Sequence, residues 1–385
     1  MSEHQPITVG ILYSQTGVTS QIESSQRLGT LLAIDEINQN GGVNGREIVP
    51  IIYDPQSTPA VYRSLAERLV SIDGVKVIFG CYMSSTRKAV IPVVERRNCI
   101  LFYATPYEGF EFSNNLIYTG AAPNQNSVQL ADFMMSNFGA RVYVVGSDYI
   151  YPYESNRIMS DLVLRRQGGE ILGTSYVPLN ASEKDFVSII ADIKTKRPDF
   201  IFSTVVGNAT QHFYKLYAEA GLDPRSMPIG SLTTSEVEIA QMGADIGVGH
   251  FTSSPYFRAV DSSANRVCLE RYQQRFNGIV APNACWEAAY FQVHLFANAM
   301  RQSGSDDIDA LMPCLLGSEY EAPQGRVRIE PTNHHTCLYP RIGQANVDGQ
   351  FTVVNEALKR VTPDPYLVNH AKGDWTTSLD TLVAQ

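Results

Sequence analysis

The sequence predicts an α/β protein built as two doubly wound parallel-sheet lobes. Short β-branched runs alternate with stretches of helical period, the signature of βαβ units. That alternation runs through once to about Tyr118 and begins again near Ala121-Ala-Pro-Asn124. Length agrees, since 385 residues exceed what one ordinary core fills.

The elements follow in order. Ile7 to Leu12 reads as the first strand. Ser20 to Glu23 offers a capping box, and Leu28, Leu31, Leu32, Ala33 and Ile37 then recur at helical spacing until Gly41-Gly42 ends the helix. The Asn44-Gly45 turn leads into a strand from Ile48 to Tyr53, and further strands read at Val75 to Phe79, Ile100 to Tyr103 and Ile117 to Tyr118. In the second lobe the expected elements are strand Val142 to Val145, a helix after Glu154, strand Ile171 to Val177, a helix around Phe186 to Ile193, and strand Phe200 to Phe202. After Pro255 the stretches Asn265 to Phe276 and Cys285 to Met300 carry an apolar helical stripe. Hairpin-like segments close the chain: Gly325 to Ile329, Leu338 to Ile342, the Asp348-Gly349 turn, and Phe351 to Val354. No third core is visible. The simplest packing returns the helices after Pro255 to the first lobe and the terminal strands to the second, a crossing pattern that periodicity itself does not dictate.

Composition narrows the function. Hydrophobic residues at 44% and charged residues at 18% describe a folded globular chain. A formal charge of −9, a pI near 5.3 and the lack of any long Lys/Arg block argue against direct nucleic-acid binding. No window is apolar for long enough to span a membrane. The start, Met1-Ser-Glu-His-Gln-Pro6, runs into the first strand with no basic, apolar and cleavable leader, so the expectation is a cytoplasmic protein. Cys81, Cys99, Cys268, Cys285, Cys314 and Cys337 form no C-x-x-C pair, and free buried thiols are expected rather than a zinc ribbon or redox motif.

In open α/β sheets the ligand crevice lies at the carboxyl ends of the strands. Here those ends carry Tyr82 and Ser84 to Thr86 after Gly80, Tyr103-Ala-Thr105-Pro106-Tyr107, Asp148-Tyr149-Ile-Tyr151-Pro152, Ser203-Thr204-Val205-Val206-Gly207, and Gly230-Ser-Leu-Thr233-Thr234. Any one of these residues has an equal claim to a plain capping or turn role. As a set, hydroxyls and phenols with few charges predict a guest without net charge, because an ammonium or phosphate guest would need a charged partner. A small neutral amide fits: tyrosine faces enclose its apolar end while hydroxyls and backbone N–H groups meet its polar end. Prolines at 106 and 152 stiffen two of these words into a preformed wall.

Other chemistries are weaker. Cys81, Lys88 and Glu108 supply the residue types of a Cys-Glu-Lys amidase, but the thiol stands beside bulky Tyr82 with no motif arranging a base against it. His334-His335 has no third metal ligand at useful spacing, and adjacent histidines on a strand point apart. No catalytic residue, cofactor or metal is expected.

Several words together carry a resemblance: Ile7-Thr-Val-Gly-Ile-Leu-Tyr-Ser-Gln-Thr-Gly17, Gly80-Cys-Tyr-Met-Ser-Ser-Thr-Arg-Lys88, Thr105-Pro-Tyr-Glu-Gly109, Gly146-Ser-Asp-Tyr-Ile-Tyr-Pro152, Ala322-Pro-Gln-Gly325 and Asn333-His-His335. Across nearly the whole chain it resembles the type I periplasmic-binding-protein fold, and within it the amide sensors that negatively regulate aliphatic amidase operons. The resemblance implies a three-segment hinge, with residues 1–121 and 256–330 in the N-terminal lobe and 122–255 and 331–385 in the C-terminal lobe. It also implies that Ser84, Thr105 and Tyr149 hydrogen-bond the amide, that Tyr82, Tyr103, Pro106 and Tyr151 wall in the alkyl end, and that Val205, Val206 and Thr233 close from the second lobe. Sensors of this kind sequester an RNA-binding antiterminator and release it when the amide binds. Receptors that feed urea or short-chain amides to ABC transporters are similar over most of the length and form the alternative. Whether like chains assemble into a homo-oligomer is left open by the sequence. A four-heavy-atom amide is bounded by roughly 1.5 kcal/mol per atom, which sets its dissociation constant no tighter than about tens of micromolar.

Overall fold

The computed structural model describes residues 5–368. The described residues divide into two compact units: one takes residues 5–106, Glu111–Gly120 and Asp261–Cys337, and the other takes Tyr107–Phe110, Ala121–Val260 and residues 338–368. Residues 331–337, expected in the second lobe, thus pack with the first.

The first unit opens with β1 (Ile7–Leu12), α1 (Ser20–Gln39), β2 (Ile48–Tyr53), α2 (Pro59–Ser71), β3 (Val77–Gly80), α3 (Ser84–Arg96), β4 (Ile100–Tyr103) and β5 (Leu116–Tyr118). These strands form a sheet in the order β2-β1-β3-β4-β5, and every pairing in it is parallel. β1, β3, β4 and β5 are nearly continuous apolar runs because helices cover both faces of such a sheet. The helix start differs from expectation. Thr19, not Ser20, holds the N-cap position and makes no capping bond to the backbone. Glu23 instead turns toward the loop after β1, where its Oε2 accepts from the Ser14 N–H at 2.7 Å.

The second unit follows with α4 (Ser127–Asn137), β6 (Arg141–Ser147), α5 (Ile150–Arg165), β7 (Glu170–Val177), α6 (Glu183–Lys196), β8 (Phe200–Thr204), α7 (Ala209–Glu219), β9 (Ile229–Ser231), α8 (Glu236–Met242), the single turn α9 (Ala244–Gly247) and β10 (Phe251–Ser254). α5 begins at Ile150 rather than after Glu154, so Tyr151 and Pro152 belong to its first turn and not to a loop wall. Proline is tolerated there because its missing N–H would have had no helical acceptor.

The chain then returns to the first unit as α10 (Ser263–Phe276), α11 (Ala284–Ser303), α12 (Ile308–Leu315), β11 (Glu319–Ala322), β12 (Gly325–Ile329) and β13 (Thr336–Cys337), the last three forming an antiparallel sheet of their own. Long α11 lies along α1 so closely that a Cβ on Gly29 would stand 2.3 Å from the Trp286 carbonyl oxygen. Finally β14 (Arg341–Ala345) and β15 (Phe351–Glu356) pair antiparallel at the edge of the second unit's sheet, whose order is β15-β14-β10-β9-β8-β6-β7. The expected segment Leu338 to Ile342 is therefore not one strand: β13 ends just before it, β14 begins at Arg341 within it, and the two belong to different sheets. Two apolar clusters fill the second unit, one on each face of this sheet, built around residues such as Ile201, Phe213 and Tyr217 and around Phe202, Met134 and Leu162.

Candidate functional site

In the first unit, β3 and β4 are neighbours, and their carboxyl ends bring Tyr82, Ser84, Tyr103 and Thr105 together. The geometry begins at Gly80, where a Cβ would lie 2.7 Å from the Leu12 carbonyl oxygen. The chain then turns sharply at Cys81, which adopts a φ of +69° and donates its N–H to that same carbonyl at 3.0 Å. A cysteine in this left-handed region carries backbone strain, which the surrounding packing must outweigh. The turn points the chain into α3, whose first residue is Ser84, 1% exposed.

Each predicted polar group here is already oriented by a partner. Ser84 Oγ receives a hydrogen bond from Arg87 Nη1 at 3.2 Å. Thr105 Oγ1 receives one from Gln26 Nε2 at 3.0 Å and donates weakly to the Cys81 carbonyl at 3.4 Å. The Tyr103 hydroxyl donates to the Tyr82 carbonyl at 2.5 Å, which engages a group expected to serve as wall alone. The Arg87 guanidinium lies 4.7 Å from the centre of the Tyr103 ring and pairs with Glu111 at 2.8 Å. Burial pushes the Glu111 carboxyl up, but Arg87 and Lys88 outweigh it and hold it below the usual glutamate range. Pro106, half-buried, closes this stretch of the unit.

Beneath these residues lies a polar network that sequence reasoning missed. Glu23 accepts from the Ser14 N–H, the Thr19 hydroxyl at 2.6 Å and the Tyr62 hydroxyl, while Ser14 and Thr19 also bond to Ser57. Burial raises the Glu23 carboxyl above its ordinary value. A signal existed: Glu23, Gln26 and Thr30 repeat at helical spacing as a polar stripe inside the buried face of α1.

In the second unit, Tyr149 is the residue before α5, half-buried, with its ring 6.4 Å from that of buried Tyr151. Val205 and Val206 follow β8, and the Val206 N–H donates to Ser147 Oγ at 3.2 Å. The Thr233 hydroxyl donates to the Val205 carbonyl at 2.7 Å, so the structure brings these two expected residues into direct contact. Close by in sequence, Glu236 is fully buried at the start of α8 and accepts from the Arg258 N–H at 2.8 Å; burial pushes its carboxyl up to about 7.

The residue types behind the alternative chemistries are otherwise engaged. Burial drives the Cys81 thiol well above its ordinary value, and the nearby Glu23 carboxylate pushes the same way, so the sulfur is held as a thiol. Lys88 is occupied by Glu111 at 2.6 Å, and Glu108 belongs to the other unit. His334 sits in a bend with φ +60° rather than on a strand, and His335 stacks on Tyr118 at 4.1 Å with its ring held neutral by burial. Among the described residues no three His, Cys, Asp or Glu side chains gather to hold a metal, all six cysteines are unbridged, and no helix is long and apolar enough to cross a membrane.

Two units, each built on a largely parallel sheet with hydroxyl-rich strand ends, define a binding protein of the type I periplasmic fold. The chain belongs to the periplasmic binding protein domain family, whose model matches residues 7–372. It is similar to the leucine-, isoleucine-, valine-, threonine- and alanine-binding protein of Pseudomonas aeruginosa, 25% identical over 332 residues that cover 84% of this chain and 86% of that one. A solute binding protein of an ABC transporter from Rhodopseudomonas palustris BisB5, solved with 3,4-dihydroxybenzoic acid, shares the fold at a TM-score of 0.82 and 23% identity, covering 91% of this chain and 97% of its own. The branched-chain amino acid binding protein LivJ of Streptococcus pneumoniae, solved with isoleucine, does so at 0.78 and 20%, covering 93% and 100%.

Proposed function

We propose that this protein is a small-molecule receptor whose guest carries no net charge, a short aliphatic amide or urea, and that it binds this guest without converting it. One observation carries the reading. The two cations in the first turns of α3, Arg87 and Lys88, are both already paired with Glu111, and Arg87 is fully buried. What the strand ends offer a guest is therefore hydroxyls, phenols and backbone groups, which suit a neutral amide and leave a carboxylate without a counter-charge. Taken by itself, the second unit offers groups of the same uncharged kind at its strand ends: Tyr149, Tyr151, Val205, Val206 and Thr233.

Kinship with receptors of ABC transporters supports a role as the binding component of an uptake system, and it supports that role more directly than a regulatory one. The regulatory reading, a cytoplasmic sensor that sequesters an RNA-binding antiterminator, rests on the motif words around Cys81, Thr105 and Tyr149. The relatives' own guests, branched-chain amino acids and a hydroxybenzoic acid, are acids, which makes the charge of the guest the point to test.

Calorimetry of the full chain with acetamide, propionamide, urea, leucine and benzoate tests it. Acetamide, propionamide or urea should bind with a dissociation constant of about tens of micromolar or weaker, with no ammonia released. Ser84→Ala should weaken that binding by about tenfold. Binding of leucine or benzoate with no response to any amide or urea would sink the neutral-guest reading, and sustained ammonia release would sink the non-enzymatic one.

A further inference from the structure

Gln26 projects from α1 toward the end of β4, 79 residues away in sequence from the threonine it meets. Its Nε2 donates to two acceptors, the Ala104 carbonyl at 3.1 Å and Thr105 Oγ1 at 3.0 Å. The amide can have only this orientation: turned over, its oxygen would face the Ala104 carbonyl oxygen, and two acceptors would be pressed together in a buried place. Gln26 is fully buried, and its Oε1 makes no hydrogen bond to the chain. The side chain is thus held by the two bonds its nitrogen makes.

The consequence falls on Thr105. A hydroxyl that accepts from behind has its own hydrogen left to give. In this structure that hydrogen goes to the Cys81 carbonyl across 3.4 Å, a long bond that a better acceptor would displace. Ser84 is treated in the same way from the other side, since Arg87 has no acceptor capacity and its Nη1 can only donate to Ser84 Oγ.

We propose that Gln26 sets the polarity of the guest site: by donating to Thr105 it makes that hydroxyl a donor, so that the guest's oxygen is the end bound at β3 and β4. Gln26 touches no guest in this account; it is a positioning residue. The proposal rests on the assignment of Thr105 to guest binding, and it extends that reading by fixing which end of the guest faces the first unit.

A double-mutant cycle tests whether Gln26 acts through Thr105. Calorimetry with acetamide is run on the full chain, on Gln26→Met, on Thr105→Val and on the double variant, each checked for a single cooperative thermal transition. Each single change should weaken acetamide binding by about tenfold, and the double variant should be no weaker than Thr105→Val alone. Losses that multiply to about a hundredfold, or an unchanged affinity in Gln26→Met, overturn the proposal. Should Gln26→Met fail to fold, Gln26→Glu is titrated with acetamide from pH 5 to pH 9. Affinity should fall as the new carboxyl ionises and begins to accept from Thr105, while the wild-type profile stays flat; a flat profile in the variant overturns the proposal. If the wild-type chain ignores acetamide and urea but binds leucine, the amide reading has failed by itself. The same cycle is then run with leucine, whose carboxylate is also an acceptor, and the same coupling is expected. A wild-type chain that binds none of the three ends both readings.

Discussion

The strand ends of the two units are polar by different means. In the first unit several hydroxyls are bonded to amide and charged side chains: Thr105 to Gln26, Ser84 to Arg87, itself paired with Glu111, and Tyr62 and Thr19 to Glu23. In the second, Thr204 likewise donates to the Asn156 amide oxygen at 2.8 Å, but the turn after β9 is held by hydroxyls and backbone: Ser231 Oγ accepts from the N–H groups of Thr233 and Thr234, both at 3.0 Å, and Thr234 shares a hydrogen bond with Tyr214 at 3.0 Å. A partner that can only donate or only accept fixes the direction in which a hydroxyl gives its hydrogen, whereas hydroxyl–hydroxyl and hydroxyl–backbone bonds mainly hold a turn in shape. The first unit is therefore preorganised in polarity and the second in contour.

The comparison breaks most sharply at Arg87. Its side chain is 0% exposed, and its partner Glu111 is 12% exposed. Removing one member of a buried pair leaves the other charge uncompensated, a cost of roughly 3–5 kcal/mol. Arg87→Met should lower stability by about that amount in denaturant unfolding, moderated because Lys88 also reaches Glu111. A loss under about 1 kcal/mol would show that the pair is solvated and that the first unit is not preorganised in this way.

pH separates two groups within the second unit. Burial pushes His250 down to about 3, and its Nδ1 accepts from the Ile229 N–H at 3.0 Å, so the fold requires the neutral ring. Between pH 6.5 and 3 the unfolded chain binds the extra proton there, and stability falls as pH falls through that window. Glu236 acts in the opposite sense. With its carboxyl raised to about 7 by burial and, less strongly, by Glu238, it adds stability at low pH that is lost as pH rises from about 4.5 through 7. Glu236→Gln keeps the acceptor for the Arg258 N–H, so it should gain on the order of 2–3 kcal/mol relative to wild type between pH 5 and pH 8. Thermal unfolding across that range reads the difference, and a pH-independent offset would place the charge of Glu236 in contact with water.

Most of the fold was legible because parallel strands buried on both faces announce themselves as apolar runs; β1 and β4 lie where the pattern put them, and so does the half-buried edge strand β2. Legibility failed where polar residues continue a strand or make up an edge. Ser203 and Thr204 are the last residues of β8, not the loop after it, and β11, the run Glu-Tyr-Glu-Ala, has too little apolar alternation to be seen. At the site the hydroxyls were legible from their place after strands. Gln26 and Arg87 were not, because what they do depends on contacts between elements that the tertiary fold brings together. Helical spacing does place Arg87 one turn beyond Ser84, yet spacing alone cannot tell an inward guanidinium from an exposed one.

The smallest expected effect sharpens the contrast from the other side. Thr233 is half-buried, and its hydroxyl donates to the Val205 carbonyl. That carbonyl also accepts from Thr210 Oγ1 at 3.1 Å, so Thr233→Val leaves no buried acceptor orphaned. The cost should stay near that of one ordinary net hydrogen bond, about 1 kcal/mol in stability. Thr105→Val removes a hydroxyl that Gln26 is built to address, and leaves one hydrogen-bond donor of that buried amide without this acceptor, so it should cost more stability. If the two valine variants lose equally in denaturant unfolding, the hydroxyls of the second unit are held as firmly as those of the first. The division between a polarity-setting unit and a contour-setting unit would then have to be given up.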